Sequence, residues 1–171
     1  MPSSKQLLAR LWRLTPRSLH WFLVWLVHAK FNVGVAGVLF TPDGQVLLLR
    51  HVFRRRYRWG LPSGWARSGE TAAETLAREL REETGLECAV EAPLTFETGY
   101  RFRVEIVLTG SVRLAEVRLN HEIFECGAFD PGELPVDLLP AHAEYIRRAV
   151  ALRTSEGVMA APALGCSSPR A

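Results

Sequence analysis

Glu79, Glu82 and Glu83 stand three and four residues apart in the run Arg78-Glu79-Leu80-Arg81-Glu82-Glu83. On a helix that spacing brings the carboxylates together along one side. Ionised, they repel one another, so the arrangement costs free energy unless a cation or basic side chains compensate. One compensation is a hard divalent ion. Mg²⁺ prefers oxygen ligands, keeps several waters and bridges protein carboxylates to substrate phosphates. The other is a solvated face on which the glutamates pair with Arg78 and Arg81. Spacing alone leaves both open; the first predicts a phosphorylated substrate.

A second concentration of charge lies upstream. Arg50 ends the apolar run Val46-Leu47-Leu48-Leu49, and Arg54, Arg55, Arg56 and Arg58 follow within a few residues. Such a run suits an anionic ligand, although most arginines of this kind decorate a solvated loop and only one or two reach the ligand. Arg50 and Arg58, nearest the strand ends, are the candidates for substrate contact. Trp59 and Trp65 flank Leu61-Pro62-Ser63-Gly64, where a ring can stack on a base or pack as core or lid.

The elements that must position these groups can be traced in the pattern of apolar residues. Phe31 to Phe40, rich in Val and Gly, and Gln45 to Arg50 are joined by Thr41-Pro42-Asp43-Gly44, which predicts a β-hairpin. Trp59 to Pro62 reads as a short strand leading into a glycine-containing loop. Thr71 with Glu74 forms a capping box, and Gly85 is placed to end the helix. Within it Ala73, Leu76, Ala77 and Leu80 are read as the packing face, and Glu79, Glu82 and Glu83 as another face. Further strands are expected at Cys88 to Glu91, Leu94 to Glu97, Tyr100 to Thr109, Val112 to Arg118 and Ile123 to Phe129, then a closing helix over Ala141 to Leu152.

The whole window from Gly64 to Leu86 reads Gly-x5-Glu-x7-Arg-Glu-Leu-x-Glu-Glu-x-Gly-Leu. At Gly64, Glu70, Arg78, Glu79, Leu80, Glu82, Glu83, Gly85 and Leu86 it resembles the Nudix box, the signature of the MutT-like hydrolases. The resemblance implies an α/β fold, an α/β/α sandwich around a mixed sheet, over about Phe31 to Leu152. It implies that Glu79, Glu82 and Glu83 hold Mg²⁺, with Mn²⁺ able to substitute. Arg78 would orient a glutamate, and Glu70 and Gly85 would be structural in the box. Members often place a further glutamate before a late strand, and Glu122 matches that placement, although an exposed loop acid reads the same way. Glu79, Glu82 and Glu122 are therefore the candidate catalytic residues. Gly64 would let the loop approach phosphate closely. Pro62-Ser63-Gly64 stands where many members have Pro-Gly-Gly. Phe102 and Arg103 stand where a proline or a tyrosine would mark the ADP-ribose or dinucleoside polyphosphate types, so the leaving group stays open.

Composition narrows the class. Of 171 residues, 48% are hydrophobic and 23% charged, as in a folded domain and not a disordered chain. The net charge of +3 would serve nucleic acid, an anionic membrane or a phosphorylated small molecule equally. Cys88, Cys126 and Cys166 are too scattered for a disulfide framework or a thiolate metal site, which suits a reducing cytoplasm.

Three segments are expected: a helical extension over 1–30, the Nudix hydrolase domain over 31–152, and a flexible tail over 153–171. In the first, Pro16 divides two helical pieces, and Trp21 to Val27 is far shorter than the roughly 20 residues that cross a bilayer. No small-residue cleavage site follows, so a secretory signal is not expected. Trp12, Trp21 and Trp25 with Lys5, Arg10, Arg13, Arg17 and Lys30 suit peripheral contact of residues 5–30 with anionic lipid. Packing of Trp21 to Val27 on the sheet or on a second copy in a homodimer is the preferred alternative.

The function expected is Mg²⁺-dependent cleavage of a phosphoanhydride in a nucleoside diphosphate linked to another moiety: a nucleotide sugar, CDP-alcohol, ADP-ribose or nucleoside triphosphate. The partner is thus a nucleotide-derived small molecule, with no stable nucleic-acid partner. The alternatives are a non-catalytic nucleotide-sensing or RNA-binding module on the same fold, and a membrane-associated protein acting through its N-terminal helices.

Overall fold

The computed structural model describes residues 5–6, 12–13, 15–100 and 102–159, and the rest, including Cys166 and the end of the expected tail, lie outside the described residues. The chain divides into two compact units, Met1–Phe31 and Asn32–Ala171. In the first, helix α1 spans Arg17–Val27 after Pro16, whose extended backbone precedes the first turn. Among the described residues no helix is long and apolar enough to cross a membrane.

The second unit is built on strands β1 (Asn32–Phe40), β2 (Val46–His51), β3 (Trp59–Gly60), β4 (Ser63–Trp65), β5 (Cys88–Tyr100), β6 (Arg103–Val112) and β7 (Ile123–Phe129). Helix α2 spans Ala72–Thr84 and helix α3 spans Pro140–Met159. The path β3-β2-β1-β6-β5 forms the sheet, with β4 added to β1 and β7 to β2. The sheet is mixed, because β1 runs parallel to β6 over its whole length while the β1–β2 and β5–β6 pairs are antiparallel.

β1 is buried continuously from Val35 to Phe40, as a strand covered on both faces must be. One cover is α2, whose Leu76, Leu80 and the following Leu86 pack with Val35, Leu39, Leu47, Leu108 and Val112. Gly37 makes the approach close enough: a Cβ there would lie 2.4 Å from a Leu76 methyl. The other cover is α3, whose Tyr145, Ile146 and Ala149 pack with Val38, Phe40, Val46, Leu48, Trp59 and Leu61. The result is the α/β/α arrangement expected from the sequence.

Several boundaries differ from the sequence reading, each for a physical reason. Cys88 to Glu91 and Leu94 to Glu97 are one strand, because β5 lies at the sheet edge, where register shifts around Ala92 to Thr95 absorb the missing N–H of Pro93. Val112 to Arg118 is not a strand. Past Val112 the backbone turns to the end of α2, where Arg118 N–H donates to the Thr84 carbonyl (2.8 Å) and Asn120 N–H to that of Glu83 (3.1 Å). The closing helix continues to Met159, so the first residues of the expected tail, 153–159, are helical. On α2, Ala73 is exposed while Thr75, Leu76, Leu80, Glu83 and Thr84 are buried. The buried face thus includes a glutamate that the sequence reading put on the other face.

Candidate functional site

Helix α2 is fixed at both ends by its own sequence. Thr71 Oγ1 accepts from Glu74 N–H at 3.2 Å while the Glu74 carboxylate accepts from Thr71 N–H at 2.8 Å. Gly85 closes the helix in the left-handed conformation, φ 74°, with its N–H donating to the Arg81 carbonyl, a geometry glycine adopts without strain. The helix is therefore a defined platform for the carboxylates.

Arg78 ties that platform to the loop before it. Its Nε donates to Glu70 Oε1 at 2.7 Å and its Nη2 to Glu70 Oε2 at 3.0 Å, a two-pronged pairing. Nη2 also reaches the Trp65 carbonyl (3.0 Å), and Nη1 holds Glu79 (2.8 Å) and Glu82 (3.2 Å). Glu70 accepts further from Arg67 N–H and Thr75 Oγ1, both at 3.1 Å. These bonds, led by Arg78, hold its carboxyl down at about 2, and the same partners, Glu70 first, raise the Arg78 pKa. Arg78 thus bonds one glutamate of the preceding loop and two of the helix.

Strand β4 passes so close to α2 that any side chain at Gly64 would have to displace Glu79. A Cβ there would fall 2.0 Å from Glu79 Cδ and 2.2 Å from its Oε1. Glu79 occupies the space a side chain would need, at the wall of a cleft of about 280 Å³ lined by His51, Arg54, Gly64, Glu83, Arg103 and Glu122 among others.

Glu83 lies deepest, only 5% exposed. Its Oε2 is buried without a hydrogen-bond partner. Burial, then the charges of Glu79 and Glu122, pushes its pKa up to about 8, opposed by Arg54. Glu122 reaches the cleft because Asn120 Oδ1 accepts from the N–H groups of Glu122 (2.9 Å) and Ile123 (3.2 Å), while Val52 N–H donates to the Glu122 carbonyl (2.8 Å). The loop is thus pinned to α2 and to Val52, the residue after β2.

The structure brings together Glu79, Glu83, Glu122 and Gly64. Glu82 stands further out, paired with Arg78 and with Arg67 at 3.4 Å. Arg50 and Arg58 do not line the cleft: Arg50 pairs with Glu125 at 3.2 Å, and both guanidinium groups lie over the Phe124 ring. The arginines that line it are Arg54 and Arg103. Arg54 has a buried, unpartnered Nη1. Arg103 lies over the Trp65 ring at 4.8 Å and pairs with Glu105. Gly34, opposite Glu105 in the parallel ladder, leaves room for both side chains. Arg54 belongs to the run of arginines before β3; Arg103 was marked in the sequence only as standing where a tyrosine would define a subfamily, not as a cleft residue.

A metal ion fits this donor set. An orphaned buried carboxylate oxygen on Glu83, flanked by two more carboxylates, is what a hard cation would satisfy. Among the described residues no three potential ligands converge on a single point, since Arg78 draws Glu79 and Glu82 toward itself. Mg²⁺ needs only one or two carboxylates and completes its shell with water and phosphate.

A second cavity, about 320 Å³, shares Arg103 with the cleft and is lined by Glu97, Thr98, Glu105, Leu139, Ala141, His142 and Tyr145. His142 is buried there, with Nδ1 accepting from Leu61 N–H at 2.8 Å. Burial, then the charge of Arg54, lowers its pKa to about 3.

Comparison with known proteins agrees with this architecture. The NUDIX domain model matches residues 30–150, and the chain belongs to the NUDIX domain family. It is 41% identical over 109 residues to the 8-oxo-dGDP phosphatase NUDT18 of Homo sapiens, covering 61% of this chain and 34% of that protein. Over 55 residues it is 51% identical to an RNA pyrophosphohydrolase of Xanthomonas campestris pv. campestris, covering 32% of this chain and 25% of the relative. The matches thus span only a quarter to a third of those relatives' lengths. A NUDIX hydrolase from Nitrosomonas europaea has the same fold, with a TM-score of 0.67 at 20% identity, covering 75% of this chain and 74% of that one.

Proposed function

We propose that this chain is a divalent-metal-dependent pyrophosphohydrolase that cleaves a phosphoanhydride bond in a nucleoside diphosphate or a compound built on one. The observation that carries this reading is Glu83, a buried carboxylate with an unpartnered oxygen, in one cleft with Glu79, Glu122 and Arg54, whose buried Nη1 is also without a partner. An acidic pole beside a basic pole suits a cation and the phosphate it accompanies.

Glu79, Glu82 and Glu83 would hold Mg²⁺ or Mn²⁺, which when bound polarises phosphoryl oxygens and acidifies a coordinated water. Arg54 binds non-bridging phosphate oxygens from the other side of the cleft. Glu122 takes the proton from the attacking water at its carboxylate. Arg78 keeps Glu79 and Glu82 in register with the loop, so that Gly64 backs the cleft without intruding. The second cavity, reached past Arg103, receives the remainder of the nucleotide. Beside nucleoside triphosphates and nucleotide sugars, 8-oxo-dGDP and RNA, which the names of two relatives carry, belong among the compounds to assay.

The test is phosphate or pyrophosphate-linked product release from such a panel with Mg²⁺, beside Glu83→Gln and Glu82→Gln. Turnover of a panel member that needs metal and drops at least about 100-fold in Glu83→Gln is expected. Nucleotide binding with no turnover of any compound would instead point to the sensing module.

A further inference from the structure

The apolar run of α1 is not confined to one face. Trp21, Phe22, Leu23, Val24, Trp25, Leu26 and Val27 are consecutive, so at 100° per residue they surround the axis. None of the eleven residues of α1 is buried, and Trp21, Trp25 and Val27 are 68%, 60% and 73% exposed. A helix that is apolar all round needs cover on all sides. Its length, about 16 Å at 1.5 Å per residue, is roughly half of a bilayer's hydrocarbon core.

The charge around it is of one sign. No Asp or Glu occurs before Asp43, whereas Lys5, Arg10, Arg13, Arg17 and Lys30 lie on both sides of the apolar run. Lys30 Nζ sits 4.4 Å from the centre of the Trp25 ring, and His28 folds back on the Val24 carbonyl, so the helix ends in a cation held against an aromatic. Two copies meeting through this segment would face each other with basic charge and no counter-charge, which disfavours a dimer seam. An anionic lipid surface supplies phosphate to the cations and an acyl boundary to the tryptophans.

We infer that residues 17–30 form an interfacial anchor for an anionic bilayer surface: Trp21–Val27 enters the acyl boundary while Arg17 and Lys30 stay at the phosphates. The full chain is tested by co-sedimentation with large unilamellar vesicles of phosphatidylcholine, with and without 30% phosphatidylglycerol. Partitioning at least tenfold stronger onto the anionic vesicles is expected. Trp21→Ser combined with Trp25→Ser lowers it at least tenfold, and so does Arg13→Glu with Arg17→Glu. All these positions except Arg13 lie within the exposed helix, and hydrolytic activity in solution, or the melting temperature, reports that the second unit stays folded. Equal partitioning of parent and both variants overturns the inference. So does absence of lipid binding together with a dimer, by light scattering, that the tryptophan variant dissolves: a second copy would then be the cover.

Discussion

The sharpest consequence of the close approach between loop and helix is the expected behaviour of Gly64→Ala. Its Cβ would sit 2.0 Å from Glu79 Cδ, 2.1 Å from Cγ and 2.2 Å from Oε1. Carbon atoms in contact prefer about 3.5 Å, so the Glu79 side chain must retreat by about 1.5 Å. Leaving its rotamer costs about 0.5–1.5 kcal/mol. Loosening the partly exposed pair with Arg78 adds at most about 1 kcal/mol. Stability should therefore fall by only about 1–2 kcal/mol, or roughly 2–8 °C in Tm. Activity should fall much further, because displacing a catalytic group by about 1 Å costs about 100-fold. Gly44→Ala is the control. Gly44 has φ +82° with nothing within 4 Å of the added atom, so the variant pays about 1 kcal/mol of backbone strain and keeps full turnover. Both variants are compared by kcat/KM on the best substrate of the panel, by thermal melting, and by Mn²⁺ affinity from electron paramagnetic resonance. Gly64→Ala retaining kcat/KM and Mn²⁺ affinity within threefold of the parent would refute the reasoning.

Arg54→Ala removes the basic pole of the cleft, and KM is expected to rise at least about tenfold, the equivalent of one charged hydrogen bond of about 1.5 kcal/mol, with little change in Tm; an unchanged KM removes Arg54 from phosphate binding. His142 has a folded pKa of about 3 against an ordinary 6.5, so the unfolded chain takes its proton first as pH falls. Stability from this group is full above about pH 6.5 and declines by up to about 1.4 kcal/mol per pH unit toward pH 3. His142→Gln should flatten that decline in chemical denaturation between pH 6.5 and 4, leaving the slope that His51, lowered to about 4, contributes in both proteins; an unaltered slope counts against it. Leu76→Ala opens the packing between α2 and β1 and should cost about 2–5 kcal/mol in urea. A loss below about 1 kcal/mol would show that the helix is not held by this contact.

Local signals in the sequence were sufficient where one residue satisfies one backbone need. The cap at Thr71 and Glu74, the stop at Gly85 and the turn at Asp43-Gly44 fall where they were expected, because each solves its problem within four residues. Pairings decided across the sheet were less legible. Pro93 argues locally for a break, and only the edge position of β5 lets one strand run through it. The segment after Val112 has strand-like composition, yet its N–H groups go to carbonyls at the end of α2. Arg103 is placed by the parallel ladder with β1, some 70 residues away in the sequence, so its standing at a subfamily position did not by itself show that it lines the cleft.

The three glutamates show most clearly what spacing does and does not determine. Relative to Leu76, Leu80 is about 40° round the helix and Glu83 only about 20°, whereas Glu79 and Glu82 lie about 60° and 120° away on one side. Glu83 therefore continues the row of buried leucines, and the spacing that grouped it with Glu79 grouped it equally well with the core. Solvation accounts for Glu82, which is exposed and paired with two arginines. It does not account for Glu83, which is 5% exposed with an oxygen unmatched. A carboxylate placed on a core row is costly when charged and without a partner, and the guanidinium of Arg54 opposes that cost without a hydrogen bond to it. A cation held at Glu83 would satisfy the unmatched oxygen and offset its repulsion by the charges of Glu79 and Glu122 at once. Spacing left a solvated face and a metal site both open; the burial of this one residue, with its unmatched oxygen, is what a solvated face does not explain.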